Sequence, residues 1–175
     1  MTVKNETEPA GAPQGQGRIV AGVDGSPGSL AAFRWALTEA SLRGVNVRAV
    51  GVWKFPGGMG GIGLDMGYPM SADDPSPENV LAAEIEATIS AATAPAPGED
   101  APPAAAVTVS VVEGDPATEL QRALGNGNLL VVGSRGHGEV AGLLLGAVSQ
   151  HVVTRARCPV VVVPNLAHPE DDESA

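Results

Sequence analysis

Residues 129–150, LLVVGSRGHGEVAGLLLGAVSQ, hold the side chains and spacing best suited to chemistry. A β-branched apolar run leads directly into five glycines: Gly133, Gly136, Gly138, Gly142 and Gly146. Glycine lets backbone N–H groups converge on an anion with no Cβ in the way, and a following helix N-terminus adds a favourable dipole. Arg135 sits among them and suits a bidentate phosphate contact. No acidic residue occurs from position 140 to 169, yet Arg155 and Arg157 do, in a chain with 20 acidic and 10 basic residues. A carboxylate-free segment in such a chain suits a polyphosphate. The same glycines also permit a tight turn and close helix packing with no ligand, and glycine is common here, at 23 of 175 residues.

Known phosphate loops narrow the choice. A Walker A loop needs GxxxxGK[ST], and the only lysines are Lys4 and Lys54. Gly136, Gly138 and Ala141 fit a dinucleotide fingerprint, but the Asp or Glu that should follow after about 20 residues is missing from the acid-free stretch. A second match, Gly58, Gly60 and Gly63, runs into Gly67 and Pro69 rather than into a helix. Neither match is a dinucleotide site.

The elements that must position this segment alternate along the chain. β-Branched runs at 18–23, 46–53, 106–113, 129–132 and 159–163 predict five strands. The last two, LLVV and PVVVV, are apolar on both faces, as strands buried in a parallel sheet are. Ser26-Pro27, Ser76-Pro77 and Asp115-Pro116 each pair an N-cap with a first-turn proline. Apolar stripes follow: Leu30, Phe33, Leu37 and Ala40; then Leu81, Ile85 and Ile89; then Leu120, Ala123 and Leu124, with Gly125 as a stop. A fourth helix is expected from near Ser149 through Val152 and Val153 to Arg155. This alternation predicts an α/β fold, an open parallel five-stranded sheet with helices on both faces.

Composition excludes several classes. A chain of 175 residues with 43% hydrophobic content is one globular domain, long enough to bury a core without staples. One cysteine, Cys158, leaves no intrachain disulfide and no multi-cysteine zinc site, and before a buried strand it reads as a small hydrophobe. A net charge of -10 argues against nucleic acid and anionic membranes as partners. No apolar run approaches a membrane span, and the first 17 residues contain no apolar signal region, so a cytoplasmic protein is expected. Residues 1–17 and 165–175 are expected to be disordered tails; they contribute -1 and -4, half of the net charge. Domain boundaries are therefore expected at 18 and 164. Residues 94–105 read as a proline-rich linker. Residues 54–76 are too long and glycine-rich for an ordinary βα loop and read as a flap, with Met59, Met66 and Met70 available to cover a ligand.

Over residues 18–164 the chain resembles the universal stress protein family. Gly133, Gly136 and Gly146 meet the family's nucleotide pattern, Gly-x2-Gly-x9-Gly-[Ser/Thr], at all three glycines. IVAGVDGSPGSLAAFRWA and ARCPVVVVP resemble the family's opening and closing segments. The resemblance implies ATP binding, alone or with magnesium, on a Rossmann-like sheet of order 3-2-1-4-5, where the first and fourth strands meet at the switch point. Carried over by position, Gly22 and Asp24 lie against the nucleotide and Val52 packs on adenine. Gly133, Arg135 and Gly136 wrap the ribose and phosphates. Gly146, Ala147, Val148 and Ser149 give backbone and hydroxyl donors to the phosphates at the start of the last helix. The family's homodimers imply pairing through the last strand, Val160 to Val163, an edge otherwise exposed.

One departure stands out: the family has Ser or Thr after the third glycine, and this chain has Ala147. Its backbone N–H remains and Ser149 offers a hydroxyl two residues on, so weaker ATP binding is expected. Asp24 fits a nucleotide or magnesium contact, or a turn residue before Gly25-Ser26. His137, His151 and His168 read as loop, helix and tail histidines, and Asp73 with Asp74 as a solvated loop face. No motif of catalysis is present: no nucleophile elbow, no HExxH and no lysine near the glycines. The reading is a nucleotide-sensing regulatory module in stress response. Two other readings stay open: a nucleotide-free dimeric interaction protein of the same fold, and a slow ATP hydrolase or nucleotide-transfer enzyme. The transfer branch needs a loop close to SGGxDS after the first strand, where this chain has DGSPGS.

Overall fold

A computed structural model describes residues 18–54, 76–94, 105–124, 129–136 and 145–164. The elements alternate along the chain as β1 (Arg18–Gly22), α1 (Pro27–Arg43), β2 (Asn46–Trp53), α2 (Pro77–Thr93), β3 (Val107–Glu113), α3 (Pro116–Leu124), β4 (Leu129–Gly133), α4 (Ala147–Arg155) and β5 (Val160–Val163). The strands form one sheet in the order β3-β2-β1-β4-β5, every neighbouring pair parallel. Successive residues of a strand face opposite sides, so the sheet supports two cores. Ile19, Ala21, Val47, Ala49 and Val131 pack with Phe33, Leu37 and Ile85 under α1 and α2. Val20, Val50, Leu130 and Val132 pack with Leu120, Leu124 and Val152 under α3 and α4.

The expected sheet order, apolar stripes and first three helix starts are present. Ser26 caps α1 by accepting a hydrogen bond from the Ser29 N–H, and Ser76 caps α2 through the Asn79 N–H. Gly44, in the left-handed region at φ 64°, ends α1 by donating its N–H back to the Ala40 and Ser41 carbonyls. Phe33 is fully buried; such a side chain contributes about 1.5–3 kcal/mol by leaving water.

LLVV is buried throughout, whereas Val160–Val163 are half-buried, as the expected edge position of β5 implies: among the described residues it pairs with β4 alone. One expectation is corrected. α4 starts at Ala147, two residues earlier than the sequence suggests, since its N-cap is a glycine and gives no side-chain signal. Both tails, the 54–76 flap apart from its end residues, most of the 94–105 linker, Gly125, Gly138, Gly142, His137, His168, Asp73 and Asp74 lie outside the described residues.

α3 is capped by Asp115, whose Oδ1 accepts from the Thr118 N–H at 3.0 Å and hydroxyl at 2.8 Å. These bonds, aided by Lys54 and His151, hold the carboxyl below its usual value against the opposing effect of burial. Folding therefore favours the charged form: the stabilisation is present above the unfolded value, near 3.9, and is lost as pH falls through the lower folded value. Asp115→Ala is expected to cost about 1 kcal/mol at neutral pH in denaturant unfolding. The difference from the parent should shrink as pH drops below about 3.9.

Candidate functional site

The β1–α1 turn and the segment after β4 meet beyond the carboxyl ends of the two central strands. At this switch point the chain leaves β1 toward one sheet face and β4 toward the other. Asp24 follows β1 closely. Its Oδ1 accepts from the Ser26 N–H at 3.1 Å and the Ser26 hydroxyl at 2.6 Å. Ser26 in turn caps α1, so the carboxylate orientation and the helix start are one hydrogen-bonded unit.

The first turn of α1 rests on the segment after β4 through backbone alone. A Cβ on Gly133 would come within 2.7 Å of the Gly28 carbonyl, and one on Gly28 would overlap the Arg135 carbonyl oxygen. A Cβ on Gly136 would overlap the Asp24 carboxylate. Of the three pattern glycines, Gly133 is thus required by backbone close approach with no ligand invoked, while at Gly136 the neighbour is the end of a side chain that can shift. Gly146 differs: its added Cβ would sit 3.4 Å from the Arg135 Cα, an ordinary contact.

α4 closes the arrangement. The Gly146 N–H donates to the Ser134 carbonyl at 2.7 Å, and the Ser149 hydroxyl donates to the Gly133 carbonyl at 2.6 Å. The Ser134 N–H donates to the Val163 carbonyl at 2.7 Å, tying the same segment to the end of β5. Ser149 is 4% exposed, and its one hydroxyl proton is committed to Gly133. In this structure the hydroxyl expected to face a phosphate instead fixes the start of α4 to the end of β4.

The three other helices have a side-chain cap, whereas α4 has none. Its first turn presents the exposed Ala147 and Val148, and no acidic residue. The first N–H groups of a helix have no partner within it, so this uncapped turn concentrates positive partial charge. Arg135 is exposed nearby, its Cα close to Gly146, and it makes no ion pair with a described carboxylate. Anion binding is the chemistry this arrangement offers.

The structure brings together Asp24, Gly133, Arg135, Gly136, Gly146 and Ser149, with Ala147 and Val148 beside them. Gly22 and Val52 belong to the α3 side of the sheet. A Cβ on Gly22 would press on Leu120 at 3.2 Å, and Val52 packs against the core beneath α3 and α4. Sequence reasoning missed Gly28, whose closeness to Arg135 is non-local, and Ser134, whose contribution is wholly backbone. Cys158 packs against the core under α3 and α4, and burial pushes its thiol up, as befits a small hydrophobe.

Gly133→Ala should destabilise the fold by about 1–3 kcal/mol, the usual cost of overpacking. Gly146→Ala should cost under about 1 kcal/mol, the difference between glycine and alanine as caps. Denaturant unfolding of the two variants side by side checks this ordering.

Comparison with known proteins agrees with this architecture. A family model described as the universal stress protein family matches residues 16–164. Universal stress protein Rv2005c of Mycobacterium tuberculosis is 36% identical over 144 residues, covering 82% of this chain and 44% of its own length. Universal stress protein Rv2623 of the same organism is 35% identical over 147 residues, covering 84% and 45%. The chain thus spans about half the length of the curated relatives it matches. The crystal structure of a universal stress protein in complex with cAMP superposes with a TM-score of 0.58 at 24% identity, covering 86% of this chain and 98% of that one. Universal stress protein UspA from Lactobacillus plantarum gives 0.56 at 22%, covering 86% and 99%. Structural likeness at such identities speaks for the fold, and the family match covers the whole sheet with all four helices. The chain belongs to the universal stress protein family.

Proposed function

We propose that this chain binds ATP at the junction of β1, β4 and α4 and serves as a nucleotide-sensing module in stress response. The observation that carries the reading is the uncapped first turn of α4 beside Arg135, in a molecule whose other helices have side-chain caps. A phosphate chain supplies the missing cap: the N–H groups of Ala147 and Val148 bind its oxygens, and the Arg135 guanidinium pairs with its charge. The cAMP complex of the structural neighbour supports an adenine nucleotide as the ligand class. Among the described residues no group of three or more His, Cys, Asp or Glu could hold a metal. Magnesium, where it takes part, comes on the phosphates with its own waters.

Asp24 lies at the ribose side of this site, held by Ser26 so that its carboxylate cannot swing into the phosphates. Gly22 and Val52 shape the floor from the α3 side. The described residues bind and orient, and the reading is a binding protein rather than a catalyst. The unsatisfied edge of β5 pairs with a second copy, making a homodimer. No helix among the described residues is long and apolar enough to cross a membrane, which suits the cytoplasm as its place of action.

One observation favours a second reading, an interaction protein with no nucleotide. The first turn of α4 is short of hydroxyl donors: Ala147 stands where the family has Ser or Thr, and the Ser149 hydroxyl bonds to Gly133. Two measurements separate the readings. Protein purified without added ATP is denatured and its released adenine nucleotide quantified, with Gly136→Ala alongside. Near-stoichiometric ATP in the parent, lost in a folded Gly136→Ala, supports the ATP reading. An empty parent that also fails to bind added ATP with magnesium overturns it in favour of the nucleotide-free module. Ala147→Ser should tighten ATP binding about tenfold or more by calorimetry, since a hydrogen bond to a charged group contributes about 1.5–3 kcal/mol.

A further inference from the structure

At the far end of α4, about 12 Å from its first turn by helix rise, α3 and α4 enclose an open cavity of about 560 Å³ lined by Ala117, Thr118, Gln121, Arg122, Arg155 and Arg157. Three of the chain's ten basic residues converge there, in a molecule of net charge -10. Arg122 is held by Glu119, one turn away on α3. Arg155 and Arg157 are exposed and pair with no described carboxylate. Arg155 has a local reason to be where it is, because a cation at a helix C-terminus complements the dipole. Arg157 lies beyond that helix, after its C-cap at Ala156, and has no such reason. With Arg122 already paired to Glu119, Arg155 and Arg157 are left as two cations beside one concavity, a place that favours an anion between them.

We propose that this cavity is the docking site for the acidic run of the same chain, Glu170, Asp171, Asp172 and Glu173. The run holds four of the chain's 20 acidic residues in consecutive positions, which makes it the complement of the three arginines. Reach permits the contact. Glu170 lies seven residues past Val163, a span of up to about 23 Å when extended. Arg157 lies six residues before Val163, so a chain that turns back toward α4, leaving the β5 edge clear, arrives at the cavity with length to spare. A tether this short sets an effective concentration in the millimolar range, which lets individually weak surface ion pairs act together. The docked state is therefore partial, reversible and sensitive to salt. It is independent of the nucleotide site, which lies at the other end of α4.

The test uses the full 175-residue chain with a spin label on Ser174→Cys in a Cys158→Ala background, so that one thiol is present. Amide signals are compared at about 10 mM and about 1 M salt, where screening lengths are about 30 and 3 Å. Selective loss of signal at Gln121, Arg122, Arg155 and Arg157 at low salt, recovered at high salt, is the expected result. The loss should disappear in Arg155→Gln/Arg157→Gln, and also when the four acids become Gln and Asn. Both variants change only exposed or tail positions, and their amide dispersion reports whether they remain folded. Equal signal loss in the acid-neutralised chain, or none at these four residues in the parent, overturns the proposal. A mixed sample of isotope-labelled, label-free chain with spin-labelled chain tests for transfer between molecules. Signal loss found chiefly in that sample assigns the contact to a second copy and overturns docking within the chain.

Discussion

The contact between the first turn of α1 and the segment after β4 is made of backbone pressed on backbone. Gly28 lies against the Arg135 carbonyl, and Gly133 lies against Gly28, with no room for a methyl group at either position. The rest of the site hangs on this seam. Because α1 sits so close, the Asp24 carboxylate, bonded to the Ser26 hydroxyl, lies against Gly136. Because the segment after β4 is held down, its carbonyls at Gly133 and Ser134 are presented to α4 and receive the Ser149 hydroxyl and the Gly146 N–H. A side chain in the seam would push the first turn of α1 off the segment after β4. The glycines therefore belong first to folding, and through folding to any ligand.

Polar groups in this region are nearly all spent on one another. The Ser26 hydroxyl, the Ser149 hydroxyl and the Ser134 backbone are each engaged within the protein. No buried side-chain polar atom is left without a partner among the described residues. Against that background the first turn of α4 is conspicuous, since its N–H groups are the ones that the fold leaves without a side-chain cap. Specificity in such a site comes from where the backbone points more than from which side chains surround it. That explains how the position after the third glycine can be alanine and leave the geometry of the turn whole.

The fold was legible because its signals are local. A serine or aspartate followed by proline marks three helix starts, and period-3.6 stripes against β-branched runs mark the layers. β5 needed the resemblance. Its four valines alone read as a strand apolar on both faces, and the family's strand order is what placed them at an edge, where they are half-buried. The start of α4 was misplaced because a glycine cap emits no side-chain signal, so attention fell on Ser149. At the candidate site, the pattern of glycines and Arg135 pointed to the segment that meets the β1–α1 turn. The engagement of Ser149 with Gly133 was not legible, because it joins residues 16 positions apart across two elements. The part of Gly28 was hidden in the same way, since its partner Arg135 is remote in sequence.

The bond from the Gly146 N–H to the Ser134 carbonyl draws the two ends of the glycine-rich excursion together. The span between these anchors starts and finishes at almost the same place, whatever it contains. Lengthening such a closed excursion costs little, about 0.6 kcal/mol for each doubling. The residues between the anchors and the foundation beneath them can then drift at different rates over generations. Descendants of this chain are free to exchange what lies between the anchors on an unaltered sheet.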